Sequence, residues 1–498
     1  MDLLYRKKLF YDKVNLYKVN IIGMNIMRRE GVRGMFVGRE KEMKALEGLY
    51  EKDGFEFAVI YGRRRVGKTT LISEFIKGKK AIFFPGIDSN EKQNLELFSN
   101  SIMMTATGME TNTVFRDFND AFEYIYKMAE KERIVLVIDE YPYLANCYSG
   151  ISSLLAAFID HKFLKSKLML ILCGSSLSFM ENQVLGYQSP LYGRRTAQMK
   201  IVPFTFAECR KYYKKFDKTE LALAYGVTGG IPLYMSKIDE NKSMEDNIKD
   251  NFFDTSAYLF EEPGNLIKQE CREPMQYNAI IKSIATGSSK ISEIAGASGL
   301  NDTGITSNYI TKLISLGIVQ KEFPYKTETS KKSIYKLADS MFQFWYRFVP
   351  ANRALIEQGA KDRVYEKIES QIPAYMGFVF EEMCKQYLWQ ENLKGRLPIE
   401  FTDMGRWWGN DSVRKQQTEI DIMADNEENE ALFAECKWRN ETVGEAELEE
   451  LRHQSTLFHY RRNVLVLFSK SGFTKGCKEL AEKLGDVLLI EYKDMKWE

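Results

Sequence analysis

Three unbroken apolar runs stand out along the first half of the chain: Phe57–Tyr61, Ile134–Ile138 and Leu168–Cys173. Each has the length of a strand buried on both faces, and helix-period segments such as Leu71–Ile76 lie between them, so the pattern predicts a parallel α/β sheet. Farther on the period changes. Ile291, Ile294 and Ala295 mark a short helix, Ser298–Asn301 a turn, and Thr303–Leu316 a second helix with Ile305, Ile310, Leu313 and Leu316 on or near one face. A strand from Gly317 and a polar hairpin over Phe323–Tyr335 complete a winged helix-turn-helix pattern. The aromatic run Asp339–Val349 reads as an interdomain helix or a core. An amphipathic helix over Gly377–Leu388 follows, then a hairpin of Gln417–Ala424 and Ala431–Trp438 joined by an acidic turn, then strands Val464–Phe468 and Val487–Ile490. The expected fold class is therefore α/β multidomain: a parallel-sheet domain with a helical lid at 35–265, a winged helix at 266–338 and a terminal α/β domain at 339–498. No apolar run approaches the roughly 18–20 residues of a membrane helix.

A length of 498 residues suits three or four domains. The 70 basic residues nearly cancel the 69 acidic ones, which excludes a uniformly basic coat and directs attention to local patches. Residues 1–34 carry a net +5. They read as a basic arm, or as an upstream start with the folded protein beginning near Met24, Met27 or Met35. Ala279–Lys336 carries a net +4, a modest nucleic-acid footprint. Seven scattered Cys, no C-x-x-C pair and three His argue against a zinc finger and for a reducing, cytoplasmic setting.

The first chemistry lies at the end of the first apolar run. Gly62-Arg63-Arg64-Arg65-Val66-Gly67-Lys68-Thr69-Thr70 has the spacing G-x-x-x-x-G-K-[ST] between a strand and a helix, the context in which backbone N–H groups cradle phosphates. Lys68 is expected on the β/γ-phosphates and Thr69 on Mg²⁺. The second run ends in Asp139-Glu140: the aspartate suits the Mg²⁺ shell and the glutamate the attacking water. Gly174-Ser175-Ser176 ends the third run, as a γ-phosphate or water contact or simply a turn. Arg194 and Arg195 are candidates to neutralise transition-state charge, from the same chain or a neighbour, or else form a solvated loop. Gly229-Gly-Ile-Pro232 is a tight turn ahead of a helix.

Phe36-Val-Gly-Arg-Glu40, Tyr61–Thr69, Ile138-Asp-Glu-Tyr-Pro-Tyr-Leu144 and Gly229–Pro232 together resemble the archaeal-type ATPase family of the AAA+/STAND-related P-loop group, over roughly 35–240. The resemblance implies ATP with Mg²⁺, slow hydrolysis, self-association through the ATPase domain, and Asp139 with Glu140 as the acidic pair.

In the winged-helix segment, Thr306, Ser307, Asn308 and Lys312 are candidates for a DNA groove, and Lys326, Lys331 and Lys332 for its phosphates; a wing that packs on protein is the alternative. The terminal hairpin carries Asp421 on one strand and Glu435-Cys-Lys437 on the next. Alternation puts Glu435 and Lys437 on one face, and helix-borne Glu381 adds a third carboxylate, so Glu381, Asp421 and Glu435 are candidate ligands for a second Mg²⁺ or Mn²⁺ and Lys437 a water-positioning group. Solvent-facing charge on an edge strand would give the same pattern. Residues 339–498 resemble the DUF234 domain that follows many such ATPases, with a core similar to the PD-(D/E)xK nuclease fold. Asp421, Glu435 and Lys437 match that motif, while Ile420 stands where its proline would be. The expected function is an ATPase coupled to a winged helix and a nuclease-like domain acting on DNA. The alternative is a nucleotide-controlled switch whose nuclease-like domain binds partners without cutting.

Overall fold

Five strands build the first sheet: β1 (Glu56–Tyr61), β2 (Ala81–Pro85), β3 (Ile134–Asp139), β4 (Leu168–Gly174) and β5 (Ala197–Lys200). Their order is β2-β3-β4-β1-β5, all parallel. β1, β3 and β4 are buried at every position, which is why they read as continuous apolar runs. The computed structural model describes residues 36–109, 113–327 and 332–498. Arg39–Glu498 is one unit, and 36–38 belong with the amino-terminal segment; the basic stretch 1–34 lies outside the described residues.

Helix α1 (Lys68–Phe75) follows β1, α2 (Tyr141–Cys147) follows β3, and α3 (Ile151–His161) leads toward β4. After β5 the chain is helical: α4 (Phe206–Tyr212), α5 (Lys218–Thr228), α6 (Tyr258–Glu270), α7 (Pro274–Ala285), α8 (Ile291–Ala297) and α9 (Thr303–Ser315). An antiparallel pair, β6 (Val319–Glu322) and β7 (Ile334–Leu337), comes next. Then α10 (Ser340–Glu357) and α11 (Ile372–Leu393) precede a second sheet. It contains β8 (Asp403–Asp411), β9 (Gln416–Asp425), β10 (Glu430–Lys437), β11 (Arg462–Ser469) and β12 (Val487–Glu491), with α12 (Glu445–Ser455) and α13 (Lys475–Leu484) in its crossovers.

The second sheet has the order β12-β11-β10-β9-β8, antiparallel on the β8–β9–β10 side and parallel on the other. Leu432, Ala434 and Cys436 on one face of β10 pack toward α11, and Ala431 and Phe433 on the other face toward α12 and α13. The aromatic run is α10, and Phe342, Phe344, Tyr346 and Phe348 are all core. One apolar core runs from Phe204 through α10 and α11 to Met495. Among the described residues no helix is long and apolar enough to cross a membrane.

Candidate nucleotide site and a terminal carboxylate cluster

The glycine loop leaves β1 at Gly62, where a Cβ would stand 2.2 Å from the Ile201 carbonyl oxygen. It enters α1 at Gly67 in the left-handed region, φ 89°. Lys68 is buried, and its ammonium donates to the Gly62 and Arg63 carbonyls at 2.9 and 3.0 Å. Thr69 Oγ1 donates to Asp139 Oδ2 at 2.8 Å. Glu140 holds φ 50°, uncommon for a non-glycine. That turn presents its carboxylate to Ser175, whose Oγ and N donate to Glu140 Oε2 at 2.8 and 3.2 Å. The loop and the carboxyl ends of β3 and β4 thus bring Lys68, Thr69, Asp139, Glu140 and Ser175 together. A hydroxyl and a carboxylate held side by side are the hard oxygen donors that Mg²⁺ prefers, and the buried cation beside curled backbone suits a polyphosphate. The residues present fit magnesium-bound triphosphate.

Each of the three loop arginines holds a carboxylate from beyond residue 260. Arg63 Nη2 lies 2.7 Å from Asp339 Oδ2, both buried. Arg64 Nε lies 2.6 Å from Glu270 Oε1, and Arg64 Nη2 donates to Tyr143 at 2.7 Å. Arg65 pairs with buried Glu262. Burial alone would ease the proton off Arg63, but the Asp339 charge holds the guanidinium above its ordinary value. Asp339 also caps α10 through Oδ1, which accepts from Met341 N and Phe342 N. Nothing in the sequence around Asp339, Glu262, Glu270 or Tyr143 signals a place at this site. The Gly229–Pro232 turn lies beside the loop: Pro232 Cγ would be 3.7 Å from a Cβ on Gly67.

Arg194 is held away from the glycine loop of its own chain. Its Nε and Nη2 bind Asp160 at 2.8 and 2.6 Å. Thr196 pairs with Phe57 near the start of β1, while the glycine loop leaves the other end, about 13 Å along the strand. Arg195, half-buried at the same edge, has no ion-pair partner among the described residues.

The middle segment corrects two expectations. Thr306 is fully buried, with Oγ1 donating to the Asp302 carbonyl at 2.6 Å, so it cannot face a DNA groove. The buried face of α9 is Thr306, Ile310 and Leu313, and Ile305 is 49% exposed instead. Lys326, although exposed, has its charge answered by buried Asp425 at the end of β9, whose carboxylate also accepts from Tyr325 and Tyr460. Tyr325 N donates to the Arg406 carbonyl at 2.8 Å, and Trp408 Nε1 to the Lys332 carbonyl at 3.1 Å. The loop after β6 is thus packed on the terminal sheet. Asn308 and Lys332 are exposed and Ser307 and Lys312 half-buried, while Lys331 lies outside the described residues.

In the terminal sheet the β9–β10 register, carried one residue past Ala434↔Ile422, sets Glu435 opposite Asp421. Glu435 pairs with Lys437 on its own face, as alternation requires. Asp421 Oδ2 accepts from Cys436 N at 2.9 Å. Burial, then the Asp421 charge, push the carboxyls of Glu381 and Glu435 up to about 7. Burial raises Asp421 too, against the pull of the Cys436 N–H. Arg406 had no strand signature in Gly405-Arg-Trp-Trp, yet a register shift between Gly405 and Trp407 turns it toward this cluster. Its Nη2 binds Glu419 at 2.8 Å, and its charge acts on Glu381 first. Among the described residues no group of three or more His, Cys, Asp or Glu side chains has the arrangement to hold a metal ion. Asp421 and Glu435 are committed to Cys436 and Lys437, so the cluster as folded does not fit a second metal.

Residues 36–238 match an ATPase domain predominantly from Archaea, and residues 345–450 match a domain of archaeal and bacterial proteins of unknown function. A Methanocaldococcus jannaschii protein, MJECL04, is 31% identical over 465 residues, covering 92% of this chain and all of that one. A second M. jannaschii protein, the ATP-binding protein MJ0423, is 46% identical over 46 residues, which is 9% of this chain and 78% of that protein. Among solved structures, the Walker-type ATPase PABY2304 of Pyrococcus abyssi superposes with a TM-score of 0.50 at 19% identity, over 63% of this chain and 97% of that one. The chain is a P-loop ATPase. It belongs to the family of predominantly archaeal ATPases that carry the DUF234 domain after the ATPase domain.

Proposed function

We propose that this protein hydrolyses ATP, and that the hydrolysis controls the packing of a DNA-docking segment and a nuclease-like terminal domain. The observation that carries the reading is the meeting of Lys68, Thr69, Asp139, Glu140 and Ser175 at one end of the first sheet. Bound Mg²⁺ would supply charge neutralisation at the phosphates, with Thr69 and Asp139 as its protein donors. Lys68 holds the β/γ-phosphates. Glu140, turned by its left-handed backbone and fixed by Ser175, orients the attacking water. Arg195 serves the site of a neighbouring copy, which ties turnover to self-association.

The pairs from Arg63, Arg64 and Arg65 support nucleotide control, since they join the phosphate loop to α6 and to the cap of α10. The two helices with the β6–β7 hairpin support a winged-helix reading. Ser307, Asn308, Lys312 and Lys332 are the candidates left for nucleic acid. The mixed terminal sheet with Asp421 opposite Glu435 supports a nuclease-like fold. Commitment of those carboxylates to Cys436 N–H and Lys437 favours gripping over cutting. The test is ATP turnover with and without duplex DNA across a salt series, beside a cleavage assay in Mg²⁺ and Mn²⁺. DNA-stimulated turnover that falls steeply with salt is expected. Turnover indifferent to DNA but tied to oligomer size would establish the switch in its place, and cleavage lost in Asp421→Ala would restore the active nuclease.

A further inference from the structure

A cavity of about 620 Å³ opens between α4, the start of α5 and the carboxy-terminal tail, away from the phosphate loop. That volume lies within the roughly 300–1,000 Å³ of small-ligand sites. Its walls are aromatic: Phe206, Tyr213, Phe216, Tyr492 and Trp497. Phe206 and Trp497 stand edge to face with ring centroids 4.8 Å apart. Its rim is cationic. Arg210, Lys214 and Lys218 line it against one carboxylate, Asp217, and Asp217 is occupied in capping α5. Among the described residues none of the three cations has a carboxylate ion-pair partner, whereas neighbouring Lys211 is paired with Glu40. Arg210 donates to the Trp497 carbonyl at 3.4 Å and Lys218 to the Lys493 carbonyl, neutral acceptors that leave both charges unbalanced.

Aromatic faces with unpaired cations at one mouth suit a planar ring that carries negative charge. Stacking takes the ring, and the cations take phosphate. A purely apolar ligand would leave the rim unanswered, and a bare anion would leave the aromatic walls unused. We infer that this cavity binds a nucleotide, a base with its phosphate, at a second site distinct from the phosphate loop. The base lies against Phe216 and Trp497, the half-buried rings of the wall, and the phosphate meets Arg210 and Lys214. The source is either a free mononucleotide or the phosphorylated end of a nucleic-acid strand. Because the tail forms one wall, with Tyr492 donating to the Lys218 carbonyl at 2.6 Å, an occupant joins the helices that follow the ATPase sheet to the end of the chain.

The test uses the full chain with Lys68→Ala, which disables the phosphate loop, so its outcome does not hang on the ATPase reading. Calorimetric titrations compare AMP, a 5′-phosphorylated single-stranded hexanucleotide, adenosine and inorganic phosphate. AMP or the hexanucleotide is expected to bind at one site, with adenosine and phosphate each at least about tenfold weaker. Arg210→Glu with Lys214→Glu should weaken binding by about tenfold or more, and Trp497→Ala likewise, with thermal unfolding of the charge variants unchanged. Arg210→Ala gives a milder second check. A hexanucleotide tighter than AMP by about tenfold assigns the strand end, and equal affinities assign the free nucleotide. Absence of binding by both probes at about 1 mM, or binding untouched by the charge reversals, overturns the inference.

Discussion

Asp339 does two jobs with two oxygens, and they can be separated. Oδ2 faces Arg63 at 2.7 Å with both groups buried, while Oδ1 caps α10 through Met341 N at 2.8 Å and Phe342 N at 3.2 Å. Asp339→Asn keeps an acceptor for the cap and removes the charge that answers Arg63. An uncompensated buried guanidinium then costs about 3–5 kcal/mol. Asp339→Ala adds loss of the cap, about 1 kcal/mol more. Arg63→Leu in the Asp339→Asn background removes the stranded charge and should restore about 2 kcal/mol or more of the loss. The assay is amide hydrogen exchange followed by mass spectrometry over the first turns of α10, where local opening reports the change directly. Exchange there should speed up by about two to four orders of magnitude in Asp339→Asn, recede in the double variant, and change little in β10. Rates within about threefold of wild type, or strict additivity in the double variant, would refute the claim that this pair links the phosphate loop to α10.

Lys68→Ala should abolish ATP binding in an equilibrium titration. Glu140→Gln should keep binding and lose about 10² or more of turnover, and an unchanged rate would remove Glu140 from the water's path. Glu381 and Glu435 titrate near 7 in the folded chain against an ordinary 4.5. The folded state therefore holds protons that the unfolded chain releases, and stability should fall as pH rises from about 4.5 to about 7. Urea midpoints should show that fall, flattened in Glu435→Gln; a rise across the window contradicts it. Lys326→Ala should destabilise the β6–β7 loop yet leave DNA affinity alone, whereas Lys312→Ala should weaken it; the reverse order in a filter-binding assay would reinstate Lys326 as a phosphate contact. Gly230→Ala puts a Cβ 2.1 Å from the Phe204 carbonyl oxygen at φ 66° and should destabilise by more than about 2 kcal/mol in thermal unfolding.

Where the chain is buried on both sides, sequence and structure agree closely. β1, β3 and β4 are legible as apolar runs because both faces meet helices, and the glycine loop is legible because its backbone permits few alternatives. The edge strands β5 and β8 are not. β5 is Ala-Gln-Met-Lys with no fully buried position, and β8 contains Gly405, Arg406 and Gly409 around a register shift. The face of α9 is displaced by one residue because a threonine can be buried once its hydroxyl bonds to the preceding turn, which hydrophobicity alone does not reveal. The partners of Arg63, Arg64 and Arg65 lie some 200 to 280 residues away along the chain, and no local pattern announces them. Lys326 is an exposed cation, and its pairing is hidden from the sequence for the same reason. Its partner Asp425 is a feature of the tertiary fold.

That Lys326–Asp425 pair has a mechanical consequence. Asp425 ends the strand whose interior carries Asp421, so the loop after β6 and the carboxylate cluster are joined to the same strand. A displacement of that loop would therefore be felt first at the end of β9, four residues from Asp421, through Tyr325 and Lys326.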